Sequence, residues 1–95
     1  MEAIKFDYDT RRFFMPLGDD EARVDIRFVD DEETIWEILA VFVPETHRGK
    51  GLAEDMVKFV FERAKERGFA IKPTCPYVKN RFLEKYKEFN YMIVE

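Results

Sequence analysis

The chain has 95 residues, a net charge of −4 at pH 7, and 46% hydrophobic and 16% aromatic residues. This length predicts one domain, residues 1–95, since it leaves no chain for a second hydrophobic core. The acidic balance argues against a nucleic-acid partner, which would require a basic surface. The single cysteine, Cys75, excludes an internal disulfide and favours a reducing compartment.

The sequence carries no sign of a membrane segment. Its longest apolar stretch, residues 38–44, is far shorter than the ~20 residues that span a bilayer. The first residues lack the apolar core of a signal peptide. We therefore expect a cytoplasmic protein without a membrane partner. The oligomeric state is not predicted by any pattern in the sequence.

The first half of the chain alternates apolar and polar residues, as β-strands with one buried face do. Strands are predicted at residues 4–8 and 22–28, with a shorter strand at 12–15 between them. The cluster of turn-forming residues at 16–20 predicts a turn that ends the shorter strand.

The longest predicted strand covers residues 34–43 and follows an acidic turn at 30–33. Its later part is apolar on both faces, which predicts a central strand covered on both sides. Pro44 ends this strand because proline lacks the N–H that a sheet requires.

The second half of the chain changes to a helical period. Apolar residues recur every three or four positions over residues 50–67, which predicts an amphipathic helix that ends at Gly68. A short strand at 69–73, a second helix at 78–87 and an edge strand at 91–94 are predicted to follow. A strand, a helix and a strand in this order predict a parallel crossover. The expected fold is therefore a mixed, mostly antiparallel sheet with helices packed on it, of the α+β or α/β type.

A glycine-rich turn joins the long strand to the long helix. The first turn of a helix has unpaired N–H groups and the positive end of the helix dipole, so it binds anions. Gly49 and Gly51 have no Cβ and allow the backbone to approach a phosphate closely. Arg48 and Lys50 add positive charge beside it. The spacing does not fit a P-loop or a dinucleotide-binding loop.

The spacing Arg-x-x-Gly-x-Ala, from Arg48 through Gly51 to Ala53, resembles the pyrophosphate motif of the GNAT superfamily of acetyltransferases. The chain also resembles a subgroup of very small GNAT-like N-acetyltransferases. In that subgroup a Val-x-Val-Pro strand end precedes the loop and a Pro-Thr-Cys-Pro-Tyr-Val segment follows it. Here these segments are residues 41–44 and 73–78.

The resemblance implies that acetyl-CoA is the acetyl donor and an amine the acceptor. The pantetheine arm would lie along the central strand and the pyrophosphate on the amides of the loop. The cofactor-binding residues implied are Leu39, Val41, Phe42, Val43, His47, Arg48, Gly49, Lys50, Gly51, Leu52 and Ala53. Relatives often carry a His-Thr pair in the central strand, whereas this chain has Leu39 and Ala40.

Three residues are candidates for the chemistry. The resemblance marks Cys75 as the suspected active-site residue, either a nucleophile or a wall of the pocket; a buried structural cysteine is the alternative. Glu37 could act as general base if burial raises its pKa, or it could simply face solvent. Tyr86, or Tyr77, could protonate the departing thiolate, although Tyr86 also fits a packing role. His47 is expected to cap the helix or touch phosphate, and it has no neighbours that would make a metal site.

Two other functions fit the same sequence. The first is a non-catalytic module that binds CoA or acyl-CoA. The second is a plain α/β protein-interaction domain that uses the acidic turn at 30–33.

Overall fold

The computed structural model describes residues 4–95. Five strands form one sheet in the order β1-β2-β3-β4-β5. Their bounds are Lys5–Asp7 (β1), Arg12–Leu17 (β2), Asp20–Phe28 (β3), Ile35–Phe42 (β4) and Ala70–Pro73 (β5). The pairs β1–β2, β2–β3 and β3–β4 are antiparallel, and β4–β5 is parallel. The mixed, mostly antiparallel sheet predicted from the sequence is confirmed.

The parallel pair is connected by the long helix α1, Leu52–Glu66. Gly68, with φ +72°, ends this helix. Its N–H donates to Lys65 O at 3.1 Å and the next N–H, of Phe69, donates to Ala64 O at 2.9 Å. This arrangement is a Schellman cap, which requires a left-handed residue and therefore favours glycine.

The C-terminal part of the chain is helical but irregular. A π-helical turn at Val78–Phe82 continues into one α-helical turn, α2, at Leu83–Lys85. A 3-10 helix at Lys87–Met92 follows, and another 3-10 turn, Glu45–His47, precedes α1. The predicted helix at 78–87 is therefore broken near its end. The predicted edge strand at 91–94 is mostly wrong, because Ile93 alone forms a bridge, with Ile71.

The predicted turn at 16–20 is also too long. Strand β2 runs on to Leu17, and the hairpin turns at Gly18 and Asp19. Pro16 lies within β2, opposite Glu21. It is tolerated there because β1, Lys5–Asp7, pairs with residues 12–14 of β2, so Pro16 lies beyond the β1–β2 ladder of the described residues.

The core lies between one face of the sheet and α1. The helix buries its apolar stripe, which consists of Met56, Val57, Val60, Phe61 and Ala64. The Phe61 ring lies 5.2 Å from the Phe82 ring and 5.1 Å from the Phe89 ring, between centroids. This aromatic cluster joins the C-terminal segment to α1. Ion pairs such as Arg12–Asp25, with 2.7 Å between Nε and Oδ1, occupy strand positions whose side chains point away from this core.

Replacing Phe61 by Ala should destabilise the protein by about 3–5 kcal/mol, because it removes a ring at the centre of the core. Urea unfolding monitored by circular dichroism would measure the change. Tyr91→Ala is the control, since Tyr91 is 71% exposed and its replacement should change the unfolding free energy little. Equal losses in the two variants would contradict this account of the core.

Candidate functional site

Strands β4 and β5 separate halfway along β4. They pair from Ile35 opposite Ala70 to Ile38 opposite Pro73. The last bond between the two segments runs from Cys75 N to Ile38 O, at 2.9 Å. Within residues 4–95, no strand pairs with β4 on this side beyond Ile38. The second half of β4 therefore has an open edge, and Cys75 lies where the opening begins.

A β-bulge at Leu39 sets the direction of the backbone along this open edge. Ile38 lies opposite Ile26 and Ala40 opposite Asp25, so Leu39 is an extra residue in β4. An extra residue reverses the alternation of backbone groups along a strand. Because the Ile38 carbonyl points toward β5, the backbone groups of Val41 and Val43 point toward the open edge after the bulge.

The second half of β4 is less buried than predicted. Trp36 and Ile38 are buried, but Leu39 is 41% exposed. Ala40 is also exposed, and Val41 is only partly buried. The prediction that the strand is covered on both faces at this point is wrong, since Leu39 and Ala40 are exposed. The result is an apolar strand segment that is accessible from the open edge.

The loop that follows β4 presents free amides at the start of α1. Gly49 and Gly51 have φ values of +80° and +79°, and a Cβ built on either would meet no atom within 4 Å. Gly51 is the N-cap of α1, which has no side-chain cap. The first helical bond is from Asp55 N to Gly51 O, at 3.0 Å. Within the described part of the chain, the amides of residues 52–54 have no acceptor, as expected for an uncapped helix.

The open strand and the free amides face one cleft. Two adjoining cavities of about 190 and 300 Å³ form it. They share Val43, Arg48, Ala53 and Tyr77. The remaining lining residues are Val41, Phe42, His47, Gly49, Gly51, Leu52 and Glu54. Most of the predicted cofactor-binding residues are thus brought together, while Leu39 and Lys50 do not line the cleft. Sequence analysis missed Glu54, which no motif distinguishes from the other acidic residues of the helix.

Arg48 connects the loop to the end of β4. Its Nε donates to Val43 O at 2.8 Å, and its guanidinium lies 5.9 Å from the centroid of the Phe42 ring. His47 does not cap α1, contrary to one of the two roles predicted for it. Its Nδ1 lies 3.1 Å from Thr46 Oγ1, and its side chain lines the cleft.

Glu54 places a carboxylate at the cleft, and the C-terminal segment neutralises it. Lys85 Nζ lies 3.0 Å from both carboxylate oxygens, and Tyr86 OH donates to Oε2 at 2.5 Å. The bond to Tyr86, followed by that to Lys85, lowers the pKa of Glu54. The bond to Glu54 in turn raises the pKa of Tyr86 to about 12. The Tyr86 hydroxyl is therefore committed to Glu54.

Tyr77 is the tyrosine that lines the cleft, where it faces the end of β4 and the start of α1. Its pKa is raised, first by burial and then by the charge of Glu54. At neutral pH it keeps its proton. Of the two tyrosines considered from the sequence, the structure brings Tyr77 to the loop that precedes α1 and holds Tyr86 at Glu54.

Cys75 is buried, with 6% of its surface exposed. Its carbonyl accepts a bond from Lys79 N at 3.1 Å, so it directly precedes the helical C-terminal segment. It belongs to the same apolar cluster as Ile38 and Val43. The thiol thus lies in the core wall at the point where β4 and β5 separate.

Glu37 is buried as well, with 6% of its surface exposed, so of the two alternatives the one in which it faces solvent is wrong. Thr74 Oγ1 donates to its Oε2, and Arg27 Nη2 lies 2.8 Å from its Oε1. The bond from Thr74, and after it that from Arg27, lowers the pKa of Glu37. The expected rise is therefore also wrong, because these contacts outweigh the effect of burial.

The described residues set two further limits. Within residues 4–95, no helix is long and apolar enough to cross a membrane. In the same residues, His, Cys, Asp and Glu side chains nowhere gather in a group of three that could hold a metal ion.

Comparison with known proteins identifies relatives of this fold. The family model described as GCN5-related N-acetyl-transferase matches residues 12–92. Among solved structures, the chain is similar to the NMR solution structure of a GCN5-like protein from Staphylococcus aureus, with a TM-score of 0.72 and 24% identity. That similarity covers 97% of this chain and 87% of the other. No curated protein matches the chain in sequence.

The contact between Thr74 and Glu37 can be tested by replacing Thr74 with Val, which keeps the side-chain shape but removes the donor. We expect a loss of about 1.5–3 kcal/mol in unfolding free energy at pH 7, as for a hydrogen bond to a charged group. A lowered folded-state pKa stabilises above the unfolded value of 4.5, and this contribution disappears as the pH falls through the folded pKa. The difference between variant and wild type should therefore shrink in acid.

Urea unfolding at pH 7 and at decreasing pH measures this difference. Thr10→Val is the matched control, because Thr10 is exposed. A loss that stayed constant down to the most acidic pH at which the protein folds would contradict the assignment.

Proposed function

This chain belongs to the GCN5-related N-acetyltransferase family, and we propose that it transfers an acetyl group from acetyl-CoA to an amine. One observation carries the proposal: the free amides at the start of α1 and the open edge of β4 line the same cleft. The first feature suits a diphosphate and the second suits an extended chain with amide groups. Coenzyme A contains both groups in that order.

The loop from Arg48 to Ala53 is proposed to hold the diphosphate. Among the described residues 4–95, the amides of residues 52–54 find no acceptor, and the left-handed Gly49 and Gly51 keep the space above them open. Anions are stabilised at such a helix start by the amides and by the helix dipole. Lys85 and Tyr86 support this site indirectly, since they neutralise Glu54, whose charge would otherwise repel a phosphate.

The pantetheine arm is proposed to lie along β4 in the place that a sixth strand would take. Val41 points its N–H and C=O toward the open edge, where the amides of the arm could pair with them. Four residue steps separate Val43 from Leu39, which is about 13 Å at strand spacing. An extended arm from the loop thus brings the thioester close to Leu39 and Cys75.

The reaction is proposed to proceed by direct transfer. The amine nitrogen attacks the thioester carbonyl carbon, the C–N bond forms, the C–S bond breaks, and CoA leaves as a thiolate. Tyr77 is proposed as the group that returns a proton to the thiolate, because it lines the cleft and is protonated at neutral pH. The lowered pKa of Glu37 makes it a weak base, so the ammonium is proposed to lose its proton to water before attack. After attack the nitrogen loses a second proton to water and Tyr77 regains its proton from water, so the products are the amide and the CoA thiol.

Gly51→Asp tests the phosphate site. Asp tolerates left-handed φ better than most residues, but here it would put a negative charge beside the diphosphate. We expect the affinity for acetyl-CoA to fall at least roughly tenfold, since like charges this close repel strongly. Isothermal titration calorimetry with acetyl-CoA would measure the change.

Gly18→Asp is the matched control for this experiment. Gly18 also has a positive φ, +64°, with open space around its Cβ position, but it lies in the β2–β3 hairpin. The Gly18→Asp variant should be destabilised to a similar extent by the positive φ, but its affinity for acetyl-CoA should be unchanged. If both variants bound acetyl-CoA as wild type does, the loop would not be the phosphate site.

Cys75→Ala distinguishes direct transfer from a covalent acetyl-cysteine. We expect turnover to stay within about tenfold of wild type, because the thiol is proposed to pack against the acetyl group rather than to accept it. Intact-mass analysis of wild type after incubation with acetyl-CoA should then show no acetylated Cys75. Complete loss of turnover together with an acetylated Cys75 would establish the covalent route instead. Binding of acetyl-CoA without transfer to any amine would indicate a non-catalytic CoA-binding module.

A further inference from the structure

A larger cavity, of about 520 Å³, lies between the end of β5, the helical C-terminal segment and the last residues of the chain. We propose that this cavity is the acceptor site, and that it takes amines that also carry a carboxylate or phosphate group. The inference rests on the proposed acetyl transfer, and it adds the chemical class of the acceptor.

The position of the cavity links it to the point where β4 and β5 separate. Thr74 lines the cavity, and the next residue in the chain is Cys75, about 3.8 Å away between Cα atoms. Thr74 also donates to Glu37, on the part of β4 just before the opening. An amine held in this cavity therefore lies beside the place proposed for the thioester.

The charge of the lining determines the class of acceptor. Lys72 and Lys79 line the cavity, and within residues 4–95 neither takes part in an ion pair. The acidic residue in the lining is Glu95. The nearby Glu37 pairs with Arg27, and it lies opposite Lys72 in the β4–β5 register, so that the charge of Lys72 also helps to lower its pKa. The lining thus carries two lysines against the one side-chain carboxylate of Glu95, and this excess of positive charge favours an anionic group and disfavours polyamines.

The remaining lining is mostly apolar and fits a short carbon chain. Leu83, Ile93 and Val94 contribute to it, while Asn90 and Thr74 add polar groups. Ligand sites commonly combine an apolar lining with a few polar groups that fix orientation. The ligand that this lining suits has an anionic group at the lysines and a short chain that carries the amine toward Thr74.

Matched amines test the inference by kinetics. β-Alanine would be compared with β-alaninamide, and O-phosphoethanolamine with ethanolamine; spermidine represents a polycation. We expect kcat/KM to be at least about tenfold higher for each anionic amine than for its neutral partner. The two pairs show whether a carboxylate or a phosphate is preferred. Equal values within both pairs, or a preference for spermidine, would overturn the proposal while leaving acetyl transfer intact.

Lysine variants locate the preference. The double variant Lys72→Met, Lys79→Met should bring the ratio between β-alanine and β-alaninamide close to one. Lys65→Met is the control for loss of a lysine charge, because Lys65 is exposed on α1 and does not line the cavity. It should leave the ratio unchanged. A ratio that survived in the double variant would show that the anion binds elsewhere.

A binding measurement keeps the inference testable if no amine in the set is acetylated. Backbone amide resonances of Thr74 and Lys79 would be followed by NMR as β-alanine, O-phosphoethanolamine or the neutral partner of each is added to protein saturated with CoA. Larger chemical-shift changes with an anionic amine than with its neutral partner support the proposed acceptor site. Absence of any shift with either anionic amine would overturn the acceptor site, whereas failure to bind CoA in calorimetry would instead count against the proposed function.

Discussion

The separation of β4 from β5 at Ile38 is the constraint on which the rest of this structure depends. A single hydrogen bond from Cys75 N to Ile38 O, at 2.9 Å, closes the parallel ladder, and the bulge at Leu39 is the next residue of β4. If the ladder continued, β5 would cover the edge of β4 and no cleft would exist beside α1. Since it stops, the same apolar strand belongs to the core in its first half and is accessible in its second.

The C-terminal segment supports both sides of this opening, although most of it is irregular. Phe82 and Phe89 pack on Phe61 and so hold the segment to α1. From that position Lys85 reaches Glu54 at the cleft beside α1, while Lys79 lines the larger cavity. Lys79 lies within the π-helical turn at Val78–Phe82, and Lys85 lies in the α-helical turn that follows it. Extra residues in a helical turn change the direction of the side chains that follow, which is a common reason for such turns near functional sites.

The sequence predicted the parts of the structure that depend on neighbouring residues. The loop from Arg48 to Ala53 and the helix after it were found because their signals, glycines and a helical period, are local. The lowered pKa of Glu37 was not predicted, because its hydrogen-bond partner Thr74 lies 37 residues away in the sequence. The pairing of Tyr86 with Glu54, 32 residues apart, was missed for the same reason. The exposed half of β4 was predicted as buried, since an apolar strand gives the same pattern whether protein or ligand covers it.

An open strand edge is a hazard, because it can pair with an edge of another protein molecule. Here the accessible part of the edge is short and interrupted at both ends. The bulge at Leu39 breaks its regular geometry at one end, and bulges discourage such pairing. At the other end, Arg48 Nε already occupies the carbonyl of Val43, and Pro44 offers no N–H. What remains is an edge long enough for a flexible chain with few amide groups but too short and bent for a partner strand. The same features that leave the second half of β4 accessible thus limit which partners can pair with it.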